Sequence, residues 1–436
     1  MLMGIASASA AAQPILRVKN RSHALSEYKD LSALRQLPRS PALSYLRKQA
    51  RPRKRRPSLV SPKLDTEIHA RIGAFTPAHF WRFLAQYLKH RLGRRHPFPT
   101  YKTRRATNGV HQMPAEDVIR IALAGDWATG TVEAAKVADL IERFQPHYSI
   151  HLGDVYYVGD PVEVAENFLG IPSQAGRYIP CRWPRGSQGA FALNGNHEMY
   201  SLGTAYFSKM LPALGPVVHG RARGQAASFF CLENEHWRLI ALDTAYNSVG
   251  LPLLEYFWPP DCDLPAELLD WLRDTVKPSR ADPRGIVILS HHQYFSRFDS
   301  WYTRPAKQLA EFISRPVLWF WGHEHRLAIY REFGVEGGVT AHGRCIGHGG
   351  MPVELPRAAR HEECIADFID ERPYPNDQNL HIGFNGFARL SLQQERLNAE
   401  YVDVLGNVIY SETWTAQNGT LMRLAGGPAP LHEPAP

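Results

Sequence analysis

Five apolar runs in this chain each stop at a cluster of Asp, Asn, His or Tyr, and that alternation constrains the fold more than any other feature. "IALAG" leads into Asp126, "SIHLG" into Asp154 and Tyr157, "FALNG" into Asn196 and His197, "VILS" into His291 and His292, and "LWFWG" into His323 and His325. Short apolar runs bounded by turn residues read as buried strands. Between them the period changes. In "TVEAAKVADLIERF" the residues Val137, Leu140, Ile141 and Phe144 recur on one helical face, and "PAELLDWLRDTVK" and "RPAKQLAEFIS" also read as helices. "SFFCLENEHWRLIALDT" reads as a hairpin of two buried strands. "FARLSL", "LNAEYVDV" and "VIYSETW", with "LGN" as a turn, read as a β-meander. The fold class expected is α/β in the layered, α+β sense, with more than one sheet. It spans residues 118–415, and the Gly/Pro-rich residues 416–436 are expected to fray as a flexible tail.

Charge divides the chain near the start of that domain. Residues 1–110 carry 23 Lys and Arg against 4 Asp and Glu, a balance of +19, while the remainder balances at −11. Such asymmetry marks an extension with its own role. Within it, "RKQARPRKRRP" (47–57) is too charged and too broken by proline to bury itself, so the extension is expected to be partly disordered. An amphipathic helix is expected near 77–92. Thr76 suits the N-cap, Pro77 the first turn, and Phe80, Phe83, Leu84, Tyr87 and Leu88 share a face. That helix is expected to pack on the main domain. Its basic side, with Arg82, Lys89 and Arg91, offers an anionic membrane surface or a protein partner as the alternative. Nucleic acid stays open, although no aromatic-plus-basic motif of known type occurs.

No apolar run reaches the ~18–20 residues a bilayer span needs. The opening "MLMGIASASAAAQP" lacks a basic leader and a long apolar stretch, so no secretory leader is expected. Five scattered cysteines without C-x-x-C fit a reducing compartment. A cytoplasmic protein is expected, with membrane association through the basic segment as the variant.

A lone strand-end aspartate is usually a cap or turn former. Five clusters with several imidazoles exceed what turns require. Ligands of open α/β sheets gather at the carboxyl ends of strands. Oxygen and imidazole donors without thiolate suit hard or borderline divalent and trivalent cations. Seven side chains are more than one open metal site takes, whereas two metals sharing a carboxylate fit the count. Such a pair, ~3.5–4 Å apart, clamps a phosphate and holds a hydroxide nucleophile. Neither a P-loop nor G-x-S-x-G occurs, so nucleotide-driven work and serine hydrolysis find no support.

The ordered motifs "AGDWATG", "LGDVYY", "LNGNHEMY", "ILSHHQYF" and "WGHEHRLAIY" resemble those of the calcineurin-like metallophosphoesterase superfamily, over residues 118–415. The resemblance implies a four-layer αββα sandwich with two mixed β-sheets. It also implies a binuclear metal-dependent phosphoric ester hydrolase. One large group of such enzymes places a histidine two positions after the first aspartate, where this chain has Ala128. The chain looks closest to the purple acid phosphatase-like branch, which uses a tyrosine in G-D-x-x-Y instead. Tyr157 holds that position. Tyr156 is its neighbour, and strand register decides which one faces the site. The branch's G-D-x-G motif has glycine where Ala128 stands, a departure between small residues.

By this resemblance Asp126, Tyr157 and His325 would hold the first metal, and Asn196, His291 and His323 the second, with Asp154 bridging. A phenolate favours Fe(III) at the first site, and Fe(II), Zn(II) or Mn(II) would take the second. His197 would stand over the phosphate and protonate the leaving oxygen, with Glu198 orienting it. His292 would face substrate, although strand alternation equally allows burial. His348 lies in a Gly-rich turn that reads first as structure and second as a substrate contact. Phosphate monoesters are the expected substrates. Phosphodiester hydrolysis on the same site and a non-catalytic scaffold are the alternatives.

Overall fold

A computed structural model describes residues 87–430, apart from 92, 103–106, 173–179, 251–261, 280, 357 and 375–381. The basic run at 47–57 and the start of the helix expected near 77–92 lie outside the described residues. Residues 87–91 are helical, with Tyr87 fully buried and Leu88 37% exposed.

The strands in chain order are β1 (Val110–Gln112), β2 (Ile119–Ala124), β3 (Tyr148–His151), β4 (Gly189–Ala192), β5 (Gly215–Val218) and β6 (Arg221–Ala222). There follow β7 (Phe230–Glu233), β8 (Trp237–Ala241), β9 (Gly285–Ser290), β10 (Val317–Trp321), β11 (Leu327–Phe333) and β12 (Ala341–Ile346). The last are β13 (Ala366–Ile369), β14 (Gly386–Gln393), β15 (Arg396–Asp403), β16 (Val408–Gln417) and β17 (Thr420–Pro428). Helices used below are α1 (Val132–Phe144), α2 (Asn196–Tyr200), α3 (Ala266–Trp271) and α4 (Arg304–Leu309).

The strands form two mixed sheets. An eight-stranded sheet has the order β1-β7-β8-β9-β10-β12-β11-β13, and a nine-stranded one β17-β16-β15-β14-β2-β3-β4-β5-β6. Strands β2, β3 and β4 run parallel, as do β8, β9, β10 and β12, while the expected hairpin β7–β8 and the meander β14–β15–β16 are antiparallel.

The layering follows from the two-residue period of each strand. Ile119, Ile121 and Leu123 join Leu239, Val287, Leu289, Leu318 and Phe320 in one core between the sheets. The alternate residues Ala122 and Ala124 face α1 through Val137 and Ile141. Ile240, Ile286, Ile288 and Trp319 face α3 and α4 through Leu268, Trp271 and Leu309. Three cores separate four layers, the αββα sandwich. Helix α1 begins where the sequence indicated. Thr131 is its N-cap, its side chain accepting the Ala134 N–H, and Gln145 ends it in the left-handed region.

The tail departs from expectation. Residues 420–428 do not fray but pair antiparallel with β16 as β17. An otherwise open strand edge gains backbone hydrogen bonds that way, and the glycines offer no side chain to oppose it. Residues 431–436 lie outside the described residues. The five cysteines are buried, and no disulfide joins them among the described residues. No helix among the described residues is long and apolar enough to cross a membrane.

Candidate metal centre

Each site side chain sits just past a strand end. Asp126 follows β2, Asp154 follows β3, Asn196 opens α2 after β4, His291 and His292 follow β9, and His323 and His325 follow β10. Three of these residues hold left-handed backbone: Asp126 at φ 56°, Asp154 at 75° and His323 at 66°. Such conformations cost of order 1–3 kcal/mol each and persist where the surroundings impose them. Glycines leave room for the donors. A Cβ at Gly195 would lie 2.1 Å from Asp154 Oδ1, and one at Gly322 would lie 2.6 Å from Asp126 Oδ2.

The donors fall into two groups around Asp154. In the first, a tyrosine hydroxyl lies 2.6 Å from Asp126 Oδ1, 3.0 Å from Asp154 Oδ2 and 2.9 Å from His325 Nε2. In the second, Asn196 Oδ1 lies 3.0 Å from both His291 Nε2 and His323 Nδ1, and His291 Nε2 lies 3.3 Å from Asp154 Oδ1. One carboxylate thus turns an oxygen to each group. Asp126, Asp154 and His291 can place one donor atom each within 4.8 Å of the others, and so can His291, His292 and His323. The set contains oxygen and imidazole donors and no sulfur, and it fits a pair of hard or borderline cations.

The tyrosine in the first group is Tyr156, which corrects the expectation for Tyr157. Val155 bridges to Ala128, and the Tyr156 N–H donates to the Ala128 carbonyl. The Tyr156 hydroxyl donates to Asp154 Oδ2 at 3.0 Å, so the two side chains face the same site. The Tyr157 ring stands 6.0 Å from that of Tyr156, and the Tyr157 carbonyl meets His197 Nδ1 at 2.5 Å.

That contact also places the catalytic candidate. With Nδ1 on a carbonyl, it is Nδ1 that carries the hydrogen, and Nε2 stands 3.7 Å from Asp154 Oδ2. Glu198 does not orient His197 in the way expected. Its Oε2 accepts the N–H of Asp154 and of Gly195, each at 3.1 Å, tying together the two loops that carry the ligands. His292 does not turn away. Its Nδ1 is 3.1 Å from Thr244 Oγ1, and its ring centre is 4.7 Å from that of His323. His348 is 1% exposed, so it offers substrate no surface. Burial pushes its pKa down to about 4.

The electrostatics match a site built for positive charge. Burial works against the charged form of His291, but Asp154, by charge and hydrogen bond, raises it to about 9. Burial likewise opposes the Asp154 carboxylate, yet His291 and His197 hold it well below its ordinary value. Tyr156 is raised well above the phenol range, first by burial and then by Asp126 and Asp154.

Sequence reading missed Thr244, Tyr200 and Asn167. Asn167 Nδ2 donates to the Tyr156 carbonyl at 2.9 Å, and Asn196 Nδ2 donates to Tyr200 Oη at 3.0 Å. For Tyr200, its position one helical turn after Asn196 was the available signal.

Residues 119–327 match the family model described as calcineurin-like phosphoesterase. Among solved structures the chain is similar to GAP50, the anchor in the inner membrane complex of Plasmodium. Identity there is 15% and the TM-score 0.41, over 70% of this chain and 90% of that one. It is similar to PhoD at 12% identity and a TM-score of 0.42, over 72% of each chain. Vacuolar protein sorting 29 of Cryptosporidium parvum is similar at 11% identity and a TM-score of 0.25, over 72% of this chain and 99% of that one. No curated protein matches. Residues 119–327, which carry the strand-end motifs and strands of both mixed sheets, are thus the part of this chain that matches the calcineurin-like phosphoesterase family.

Proposed function

We propose that this chain hydrolyses phosphoric monoesters with the aid of two metal ions. The observation that carries the reading is the position of Asp154, with Oδ2 among Asp126, Tyr156 and His325 and Oδ1 beside His291. When bound, two such cations would hold the phosphoryl oxygens and lower the pKa of a water. Asp126, Tyr156 and His325 would hold the first, and Asn196, His291 and His323 the second. A phenolate is a hard anionic donor, so Fe(III) suits the first position, and Fe(II), Zn(II) or Mn(II) the second. A tyrosine in this role favours the purple acid phosphatase-like branch and, with it, monoesters. His197 has Nδ1 fixed on the Tyr157 carbonyl and a side chain only 13% exposed, so a proton on Nε2 is aimed into the site for a leaving oxygen. His292 stands beside the second group, where it can contact phosphate.

The test combines metal analysis of the full chain with turnover of p-nitrophenyl phosphate and bis(p-nitrophenyl) phosphate. Two ions per chain and faster monoester turnover are expected. Faster diester turnover would overturn the substrate class. Two ions with no turnover of either would indicate a scaffold, and the absence of bound metal would overturn the reading as a whole.

A further inference from the structure

Asn196 presents a chemical ambiguity that its own motif does not resolve. The two ends of a carboxamide are alike in shape, but only the oxygen can bind a cation. Here Oδ1 faces His291 Nε2 and His323 Nδ1, each at 3.0 Å, while Nδ2 donates to Tyr200 Oη at 3.0 Å. Asn196 is 4% exposed and Tyr200 1%. A buried N–H needs an acceptor. Turned the other way, the N–H would face the lone pairs of those two imidazoles, the atoms a second cation would use. An amide turned that way would cap the site instead of completing it.

Tyr200 is well held for this purpose. It lies one turn along α2 from Asn196, so the two side chains share a face. Its ring packs 4.9 Å from His197 on one side and 5.7 Å from Tyr87 on another. Tyr87 comes from the segment before the sandwich, which thereby abuts the residue behind the site.

We propose that Tyr200 is a positioning residue: by accepting the Asn196 amide hydrogen it keeps Oδ1 directed at the second metal position. This rests on the binuclear reading above. The test is calorimetric titration of Mn(II) into metal-depleted full-length protein, with thermal melts as a folding control. The wild type should take up two ions; uptake of none would bring down the binuclear reading itself. In Tyr200→Phe the second ion should bind roughly 10-fold or more weakly, with the first unchanged. In an Asn196→Asp background, where both ends are oxygen, Tyr200→Phe should have a much smaller effect, since no amide remains to orient. Equal second-ion affinity in wild type and Tyr200→Phe, or the same loss in both backgrounds, would overturn the proposal while leaving the metal pair standing. If Tyr200→Phe does not fold, Tyr200→His, which keeps an acceptor, should bind the second ion more tightly than Tyr200→Leu; equality would overturn it.

Discussion

The hydroxyl of Tyr156 lies 2.6 Å from Asp126 Oδ1, joining the ends of two neighbouring strands. If that phenol binds Fe(III), iron-loaded protein will absorb in the visible through tyrosinate-to-iron charge transfer. Tyr156→Phe should abolish the band and Tyr157→Phe should keep it. An absorption spectrum of the two variants decides between the neighbours, and a band lost only in Tyr157→Phe would reverse the assignment.

Asp154 turns one carboxylate oxygen to each donor group. Asp154→Asn should lower turnover by roughly 10²–10³-fold or more, and bound metal should fall below two ions per chain. Elemental analysis beside the phosphatase assay reads both. Full metal content in the variant would mean that the bridge lies elsewhere.

Arg344 on β12 meets Glu412 on β16 through two hydrogen bonds of 2.6 and 2.7 Å, with both side chains almost wholly buried. This pair fastens one sheet to the other. Tyr401 also donates to Glu412, at 2.8 Å. Removing one partner leaves a buried charge, so Arg344→Met should cost about 3–5 kcal/mol of stability. Arg344→Met with Glu412→Leu should recover most of that loss. Denaturant melts of the two variants provide the check.

His151 lies among Trp127, Phe168 and Trp183, and burial lowers its pKa to about 3. Unfolded, it would titrate near its ordinary 6.5. The unfolded chain thus binds the extra proton first, and the folded state loses stability as pH falls from about 6.5 toward 3. For this one group the loss at pH 5 is about 2 kcal/mol. His151→Leu removes it, so the variant's stability should exceed that of the wild type by a margin that widens on acidification. Melting temperatures at pH 7 and pH 5 test the sign.

Much of the site was legible because ligand chemistry and strand periodicity leave marks in the chain itself. The apolar runs before Asp126, Asp154, Asn196, His291 and His323 are strands, and their ends do converge. The choice of Tyr156 was hidden because it depends on the Ala128–Val155 bridge, a pairing between distant residues. Glu198 misled because a carboxylate beside a histidine invites a side-chain pair, whereas two backbone amides stood closer. Strand β17 was missed because its glycines read as a tail, and only the open edge of β16 turns them into a strand.

The donors come from both sides of the sandwich: Asp126, Asp154 and Asn196 follow strands of the nine-stranded sheet, and His291, His323 and His325 follow strands of the eight-stranded one. An ion pair seated there would act as a staple across the seam. Its grip would grow with occupancy, reaching on the order of 4 kcal/mol at a thousandfold excess over Kd. Chelation would then unfasten this end of the sandwich and leave Arg344 and Glu412 to carry more of the strain.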